Sequence, residues 1–418
     1  MPRVKIVGGG LAGLAAAARL GEAGLDVDIH EARPFLGGRA ASYRLAPADP
    51  DSEHIDNCQH VLLRCCTELM DFYRRCGVAD RIVFESTLHL VGRSGTHDRL
   101  FRDPLPAPLH LARSLLQMRG LGWKDKFSLL RCLRAVSRAR KRDDLDDITF
   151  SDWLRQHGAT ARSIAHFWRP VIVSALNEEP ERASALPALQ VFGEGLLGSR
   201  TSYEMGVPAV PLDELYSPAL TGQFGPSVRL HLGSKVTAID PRDQAADFYI
   251  SAVPVDRVTA LIPGLGMEDQ LTRFQPSPIV GIHLWFDRPI TELGHAMLVD
   301  GEVQWIFHKG GGYYLGVVSA ARSLVRDAPA EIAERAVAQL RATFPRAREA
   351  ELRRSRVIKE LRATYSAVPG LERSRPGPHT CFPNLFLAGD WTDTGWPATM
   401  EGAVRSGYNA AAAVLATL

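Results

Sequence analysis

An α/β fold, with one parallel sheet drawn from both ends of the chain and an α+β segment inserted between them, is predicted by three observations. The chain opens on a short apolar strand, a run of glycines and an alanine-rich helix, "VKIVGGGLAGLAAAARL". A second apolar run, "LDVDIHEA", stops at the acidic Glu31, as a parallel strand ending at a ligand edge does. Near the C-terminus another strand, "NLFLAGD", is followed by an aromatic turn and a small-residue helix. The 418 residues suffice for two domains.

Each element has a chemical reason. Gly8, Gly10 and Gly13 fit G-x-G-x-x-G between a strand and a helix. The first glycine permits the tight turn, the second lets a pyrophosphate approach the backbone, and the third lets helix and strand pack closely, helped by Ala17. The helix N-terminus offers free N–H groups and a positive dipole end. Glu31 stands 18 residues beyond Gly13, where a carboxylate can take both hydroxyls of an adenosine ribose. These features predict a Rossmann-type dinucleotide-binding domain.

The following segment, "EARPFLGGRA", places Arg33, Gly37, Gly38 and Arg39 just after that carboxylate. Two glycines let a loop pass against a second phosphate, and an arginine neutralises it. This segment resembles FAD-dependent amine oxidases and carotenoid-type desaturases, whose signature ends in Gly-Gly-Arg. The resemblance implies FAD, bound tightly and non-covalently, in a discontinuous Rossmann-type domain with an inserted α+β substrate domain, as in amine oxidases and phytoene desaturases. It implies that "NLFLAGD" is the closing strand, with Gly389 and Asp390 at the pyrophosphate–ribityl region. It also implies that "GWPATMEGAVRSG" lies against the flavin, with the helix start at Thr399 and Met400 aimed at the ring. "RLHLGSKVTAID", 229–240, reads as strands of the same sheet, with the Val236 backbone expected against adenine. The link "DPRDQA" is shorter than the β-meander of relatives. The expected FAD domain comprises 1–80, 205–265 and 375–418, and the substrate domain 81–204 and 266–374.

Within the insertion, 105–200 is mostly helical in pattern, and 67–78 and 330–344 share that spacing. "SPIVGIHLWFD", "VQWIFHK" and "GYYLGVVSA" read as strands of a second sheet, with a hairpin at Gly310–Gly312.

Two further stretches, "EHIDNCQHVLLRCCTELMDFYRRCGV" and "LNEEPERASALPALQVFGEGLLGSR", resemble hydroxysqualene dehydroxylases, also described as squalene-associated FAD-dependent desaturases. The Asp-Asn-x-Gln-His run is the most telling part. The family usually carries Gly where Cys58 stands, and Gly near Arg64. The resemblance implies removal of an allylic hydroxyl from hydroxysqualene to give squalene, with reduced flavin as hydride source. That chemistry needs a proton donor, for which His60 and Asp56 are candidates, with His308 behind them. It also needs surroundings that tolerate an allylic cation, for which Trp305, Tyr365 and Trp396 are candidates. Other readings stay open: an oxidative carotenoid desaturase, an amine oxidase, or a non-catalytic protein that keeps the nucleotide fold as a scaffold.

Residues 102–142 hold eleven Lys or Arg against two Asp, among apolar residues. Apolar positions 127, 129, 130, 133 and 136 fall largely on one helical face, with Arg134, Arg138 and Lys141 elsewhere, which suits peripheral contact of 105–141 with an anionic membrane. A net charge of +2 does not argue for nucleic acid. The six Cys form no C-x-x-C pair, and no His pattern completes a zinc site, so no metal is expected. The start of the chain shows no secretion signal, so a cytoplasmic protein on the inner face of the membrane is expected. A second G-x-G-x-x-G is missing, so the flavin reductant is expected to be external.

Overall fold

A computed structural model describes residues 1–45, 52–93, 95–139, 143–216 and 222–418. Its first sheet has five parallel strands in the order Val228–His231, Asp26–His30, Arg3–Val7, Phe248–Ser251, Leu385–Leu387. The central strand, Arg3–Val7, buries Val4, Ile6 and Val7, the last two in succession and so on both faces of the sheet. The strand Leu385–Leu387 is added from the far end of the chain and pairs with Phe248–Ser251.

The helix Leu11–Glu22 is buried along almost its whole length, and its four consecutive alanines, Ala15–Ala18, let neighbours approach on every side. One neighbour is the C-terminal helix Met400–Thr417. At the crossing, a Cβ on Gly407 would lie 2.2 Å from the Ala12 carbonyl oxygen, so only glycine fits. Glu401 in the first turn of this helix accepts from the N–H groups of Glu68 and Leu69, which begin the helix Thr67–Arg75. A carboxylate there caps a second helix and ties it to the first turn of the C-terminal one.

The second sheet has seven strands, in the order Leu352–Tyr365, Pro276–Phe286, Tyr313–Val318, Trp305–Gly310, His295–Leu298, Thr87–Val91, His97–Phe101. The glycine hairpin falls where expected, with Gly310 and Gly311 at φ of +112° and +54°. The helix Pro329–Thr343 covers this sheet through Ile332, Ala336 and Leu340.

One expectation needs correction, and one long strand was not foreseen. Within 229–240 the strand ends at His231, because Gly233 turns the chain at φ +65° and the remainder runs as irregular backbone. The 14-residue strand Leu352–Tyr365 was not legible, since its outer positions are charged and exposed and its apolar alternation is weak. It is paired along Pro276–Phe286 and lies at one end of the strand order, where charge discourages further pairing.

Gly407→Val should cost about 3 kcal/mol by forcing apart the N- and C-terminal helices. Gly294→Ala, where an added Cβ meets nothing within 4 Å, should stay within about 0.5 kcal/mol. Thermal unfolding of the two variants beside the parent checks both.

Candidate active site

Three glycines at the N-terminal turn have different reasons to be glycine. Gly8 sits at φ +116°, and a Cβ there would lie 2.6 Å from the Ala252 carbonyl oxygen. At Gly13 a Cβ would lie 2.0 Å from the Gly8 carbonyl oxygen. Gly10 is different: its nearest neighbour would be the Gly38 Cα at 3.8 Å, an ordinary contact. The protein itself therefore tolerates a Cβ at Gly10, and the space beside it suits a ligand phosphate. Gly10 also starts the helix Leu11–Glu22 with no side-chain cap, so the first N–H groups face that space.

The second glycine loop closes on the first. Gly37 N–H donates to the Gly9 carbonyl at 2.9 Å, and Gly38 adopts φ +62° with its Cβ position 3.2 Å from the Gly10 Cα. Arg33 steadies this loop by donating to the Gly38 carbonyl at 3.1 Å. Glu31 is 9% exposed and fixed by Gly9 N–H on one oxygen at 2.7 Å and Arg33 N–H on the other at 2.8 Å. Each oxygen keeps a lone pair for a ribose hydroxyl.

From the other chain end, Gly389 turns at φ +147° and donates to the Ser406 hydroxyl at 2.8 Å. Asp390 follows and pairs with Arg39 at 2.5 Å. Thr399 caps the C-terminal helix by accepting from Gly402 N–H, and Met400 stands at its first position. Val236 is half-buried at the edge of the cluster that holds Val7 and Tyr249. Tyr365 ends its strand with a buried hydroxyl that has no partner among the described residues, within electrostatic reach of Asp390 and Arg39. A buried phenol lacking a partner is costly, and a bound cofactor would remove that cost. Gly10, Glu31, the Arg39–Asp390 pair and Tyr365 together fit a dinucleotide carrying a diphosphate and a ribose, as FAD does.

The Asp-Asn-x-Gln-His run supports this cradle from behind. The Asn57 side chain donates to the Arg39 carbonyl at 2.8 Å and accepts from Ala41 N–H at 3.4 Å, while the Asn57 backbone N–H donates to the Ala41 carbonyl. His60 Nε2 lies 3.1 Å from the Asn57 side-chain oxygen. Burial, with Lys309 and Arg39 nearby, pushes the His60 imidazole down to about 4, against the pull of Asp56. His60 is therefore neutral at pH 7 and a poor acid. Asp56 accepts from the Ser42 hydroxyl at 2.6 Å and Leu212 N–H at 3.1 Å, and its second oxygen lies 3.6 Å from Lys309. Both expected proton donors thus hold the cofactor loop instead of facing a substrate. His308 Nε2 donates to the exposed Gly311 carbonyl of the hairpin at 2.8 Å.

A cavity of about 270 Å³ begins at the turn 396–401. Trp396, Pro397, Thr399 and Met400 line one end, and Leu88, Leu100, Met118 and Phe167 line another part. Trp305 joins this wall, with its indole N–H on the Ser174 hydroxyl at 2.6 Å and its ring stacked on Phe307 at 5.6 Å. Tyr365 is not among the lining residues; it packs edge-on against Phe274 at 5.1 Å, beside Trp391. Cys58 and Gln59 line the cavity where Asp56 and His60 do not. Burial pushes the Cys58 thiol up to about 12, so it stays a thiol and no nucleophile.

Residues 11–415 match the sequence profile of the family described as flavin containing amine oxidoreductase. The chain belongs to this family. Its fold is the amino oxidase fold, and its cofactor is FAD. The chain is 29% identical to a hydroxysqualene dehydroxylase of Rhodopseudomonas palustris over 99% of itself and 98% of that protein. It is 26% identical to a 15-cis-phytoene desaturase of Synechococcus elongatus over 99% of itself and 96% of that protein. A putrescine oxidase structure superposes with a TM-score of 0.75 at 19% identity, covering 99% of each chain.

Four residues around the cradle and the cavity escaped sequence reasoning. Arg375, 5% exposed, donates to the Asp390 and Thr392 carbonyls and holds the turn after the closing strand. Glu401 lines the cavity, and burial pushes its carboxyl up against the opposing N–H of Leu69 and the Arg405 charge. Glu194 lines the same cavity from the π-helical turn Val191–Leu196. Gln190, just before that turn, donates to the Gly395 carbonyl next to Trp396. A widened turn in an otherwise helical stretch was the signal, and it has no simple residue pattern.

Gly10→Val should leave the fold intact and abolish FAD binding, while Glu31→Ala should weaken it by roughly tenfold or more through the ribose. Flavin absorbance per purified protein, beside circular dichroism, checks both. The folded His60 value lies below the ordinary 6.5, so the unfolded chain takes up this proton first as pH falls. Stability should therefore be lost between pH 6.5 and about 4, and His60→Gln should flatten that part of the curve of thermal midpoint against pH.

Proposed function

We propose that this flavoenzyme catalyses the reductive dehydroxylation of hydroxysqualene to squalene. The observation that carries this reading is a largely apolar chamber that holds two carboxylates, Glu194 and Glu401, and ends at the turn 396–401. Its walls are mostly Leu, Met, Phe and Trp, which match an isoprenoid chain. Trp391, one possible half of an amine-binding aromatic cage, is 1% exposed and spends its indole N–H on the Val253 carbonyl. The relative from Rhodopseudomonas palustris, matched over 98% of its length, supports the substrate assignment.

The bound flavin, once reduced, supplies a hydride. The chain's own residues do the rest. The substrate hydroxyl must be protonated before it leaves as water, and the charge left on carbon is shared along the allylic system. Two carboxylates line the chamber: Glu401, which accepts from Glu68 N–H, Leu69 N–H and Arg405 at 3.3, 2.7 and 2.7 Å, and Glu194 on the turn Val191–Leu196. Glu194, set in the apolar wall one turn from the Gln190–Gly395 bond, takes the proton-donor role instead of His60 or Asp56. The faces of Trp305, Phe307 and Trp396 lie where a positive carbon would be held. The apolar wall keeps water from capturing that carbon.

Anaerobic incubation of the chemically reduced holoenzyme with hydroxysqualene should yield squalene, read by mass spectrometry. Glu194→Gln should lower kcat by roughly a hundredfold with flavin content unchanged. A carotenoid-type desaturation would instead appear as extra double bonds made by oxidised enzyme, with hydroxysqualene left untouched by the reduced form.

A further inference from the structure

The helix Trp123–Ala139 does not present its apolar residues as one stripe. Leu129, Leu133 and Val136 are buried in the core that surrounds the cavity. Trp123, Phe127 and Leu130 follow one another at spacings of four and three residues on the opposite face, and Trp123 and Phe127 are 77% and 73% exposed. The apolar face expected from the sequence is thus two faces, one inward and one outward. Leu105, Leu109 and Leu116 are exposed in the preceding segment. Lys126 fixes this arrangement: its ammonium donates to the Leu116 carbonyl at 2.7 Å and lies 5.0 Å from the Trp123 ring centre.

We propose that this face docks on an anionic phospholipid bilayer, with Trp123 and Phe127 inserted at the level of the acyl boundary. The charge pattern selects the occupant. Arg113, Arg119, Lys124, Arg131, Arg134 and Arg138 are all exposed in this segment. The two acidic residues there are turned to backbone: Asp103 accepts from Arg113 N–H and Asp125 from Gly122 N–H. Two copies of the chain meeting through this face would bring like charges together, whereas lipid phosphates complement them. The sequence expectation extended to Lys141, which with residues 140 and 142 lies outside the described residues.

The same short stretch reaches the interior. Leu116 is exposed, and Met118, two residues on, lines the cavity. A single layer of chain therefore separates the bilayer-facing surface from the chamber, so a water-insoluble substrate could enter without crossing bulk water. Docking does not depend on which isoprenoid the enzyme converts.

The test is flotation of FAD-loaded enzyme with vesicles of phosphatidylcholine alone and of phosphatidylcholine with phosphatidylglycerol. The parent should float with the anionic vesicles and be released by high salt. Trp123→Ser with Phe127→Ser should lower the partition coefficient by roughly tenfold or more. Arg134→Glu with Arg138→Glu should remove the preference for phosphatidylglycerol, and Arg353→Glu, on the exposed strand of the other sheet, should change nothing. Flavin content and thermal midpoint establish that each variant is folded. A parent that stays with the protein fraction, or aromatic variants that float as well as the parent, overturns the proposal. So does light scattering that finds a dimer which the aromatic variants dissolve while vesicle binding is absent throughout.

Discussion

The contact between Gly407 and the Ala12 carbonyl governs the rest of the molecule. It sets the distance between the first and last helices, and through them the distance between the first and last strands of the parallel sheet. Had this crossing held any side chain, the helices would stand apart and the Gly389 turn would no longer face the N-terminal glycines. The cradle depends on backbone approaching backbone, Gly37 on Gly9 and Gly38 on Gly10, where tolerances are a few tenths of an ångström. The buried guanidinium of Arg375 secures the same region by bonding carbonyls that have no strand to pair with.

Around that cradle the protein separates polar work from apolar work. Asn57, His60 and Asp56 hold the cofactor loop from the side away from the chamber, and burial keeps the imidazole uncharged. The chamber itself is built from aliphatic and aromatic side chains on strands of the second sheet and on the two π-helical turns, Ile164–Trp168 and Val191–Leu196. Phe192 packs on Phe167 and Trp168 across these turns. A π turn directs its side chains differently from an α turn, which brings Glu194 to an apolar wall without breaking the helix that carries it.

The cofactor half of the protein was legible in the sequence, and the substrate half was much less so. Gly8, Gly13, Glu31 and Gly389 could be read because their reasons are local: a turn, a close crossing, a strand end. At Gly10 nothing in the protein itself excludes a Cβ, which leaves room there for the expected pyrophosphate. The roles of Asp56, His60 and Tyr365 were misread because polarity beside an apolar run does not reveal which side faces the substrate. Trp305 and Trp396 do line the cavity, a fact set by distant segments meeting. The strand Leu352–Tyr365 was hidden by its charged outer face, and the basic helix by having two apolar faces where one was expected.

The Arg39–Asp390 pair joins residues 351 positions apart. A chain emerging from the ribosome displays the glycine fingerprint long before the partner for Arg39, which arrives only with the strand Leu385–Leu387 and the turn that follows it. Until then Arg39 stands without the carboxylate of Asp390. The cradle is therefore completed only when these distant residues have been made, and a chain that stalls between them leaves its nucleotide cradle open on one side.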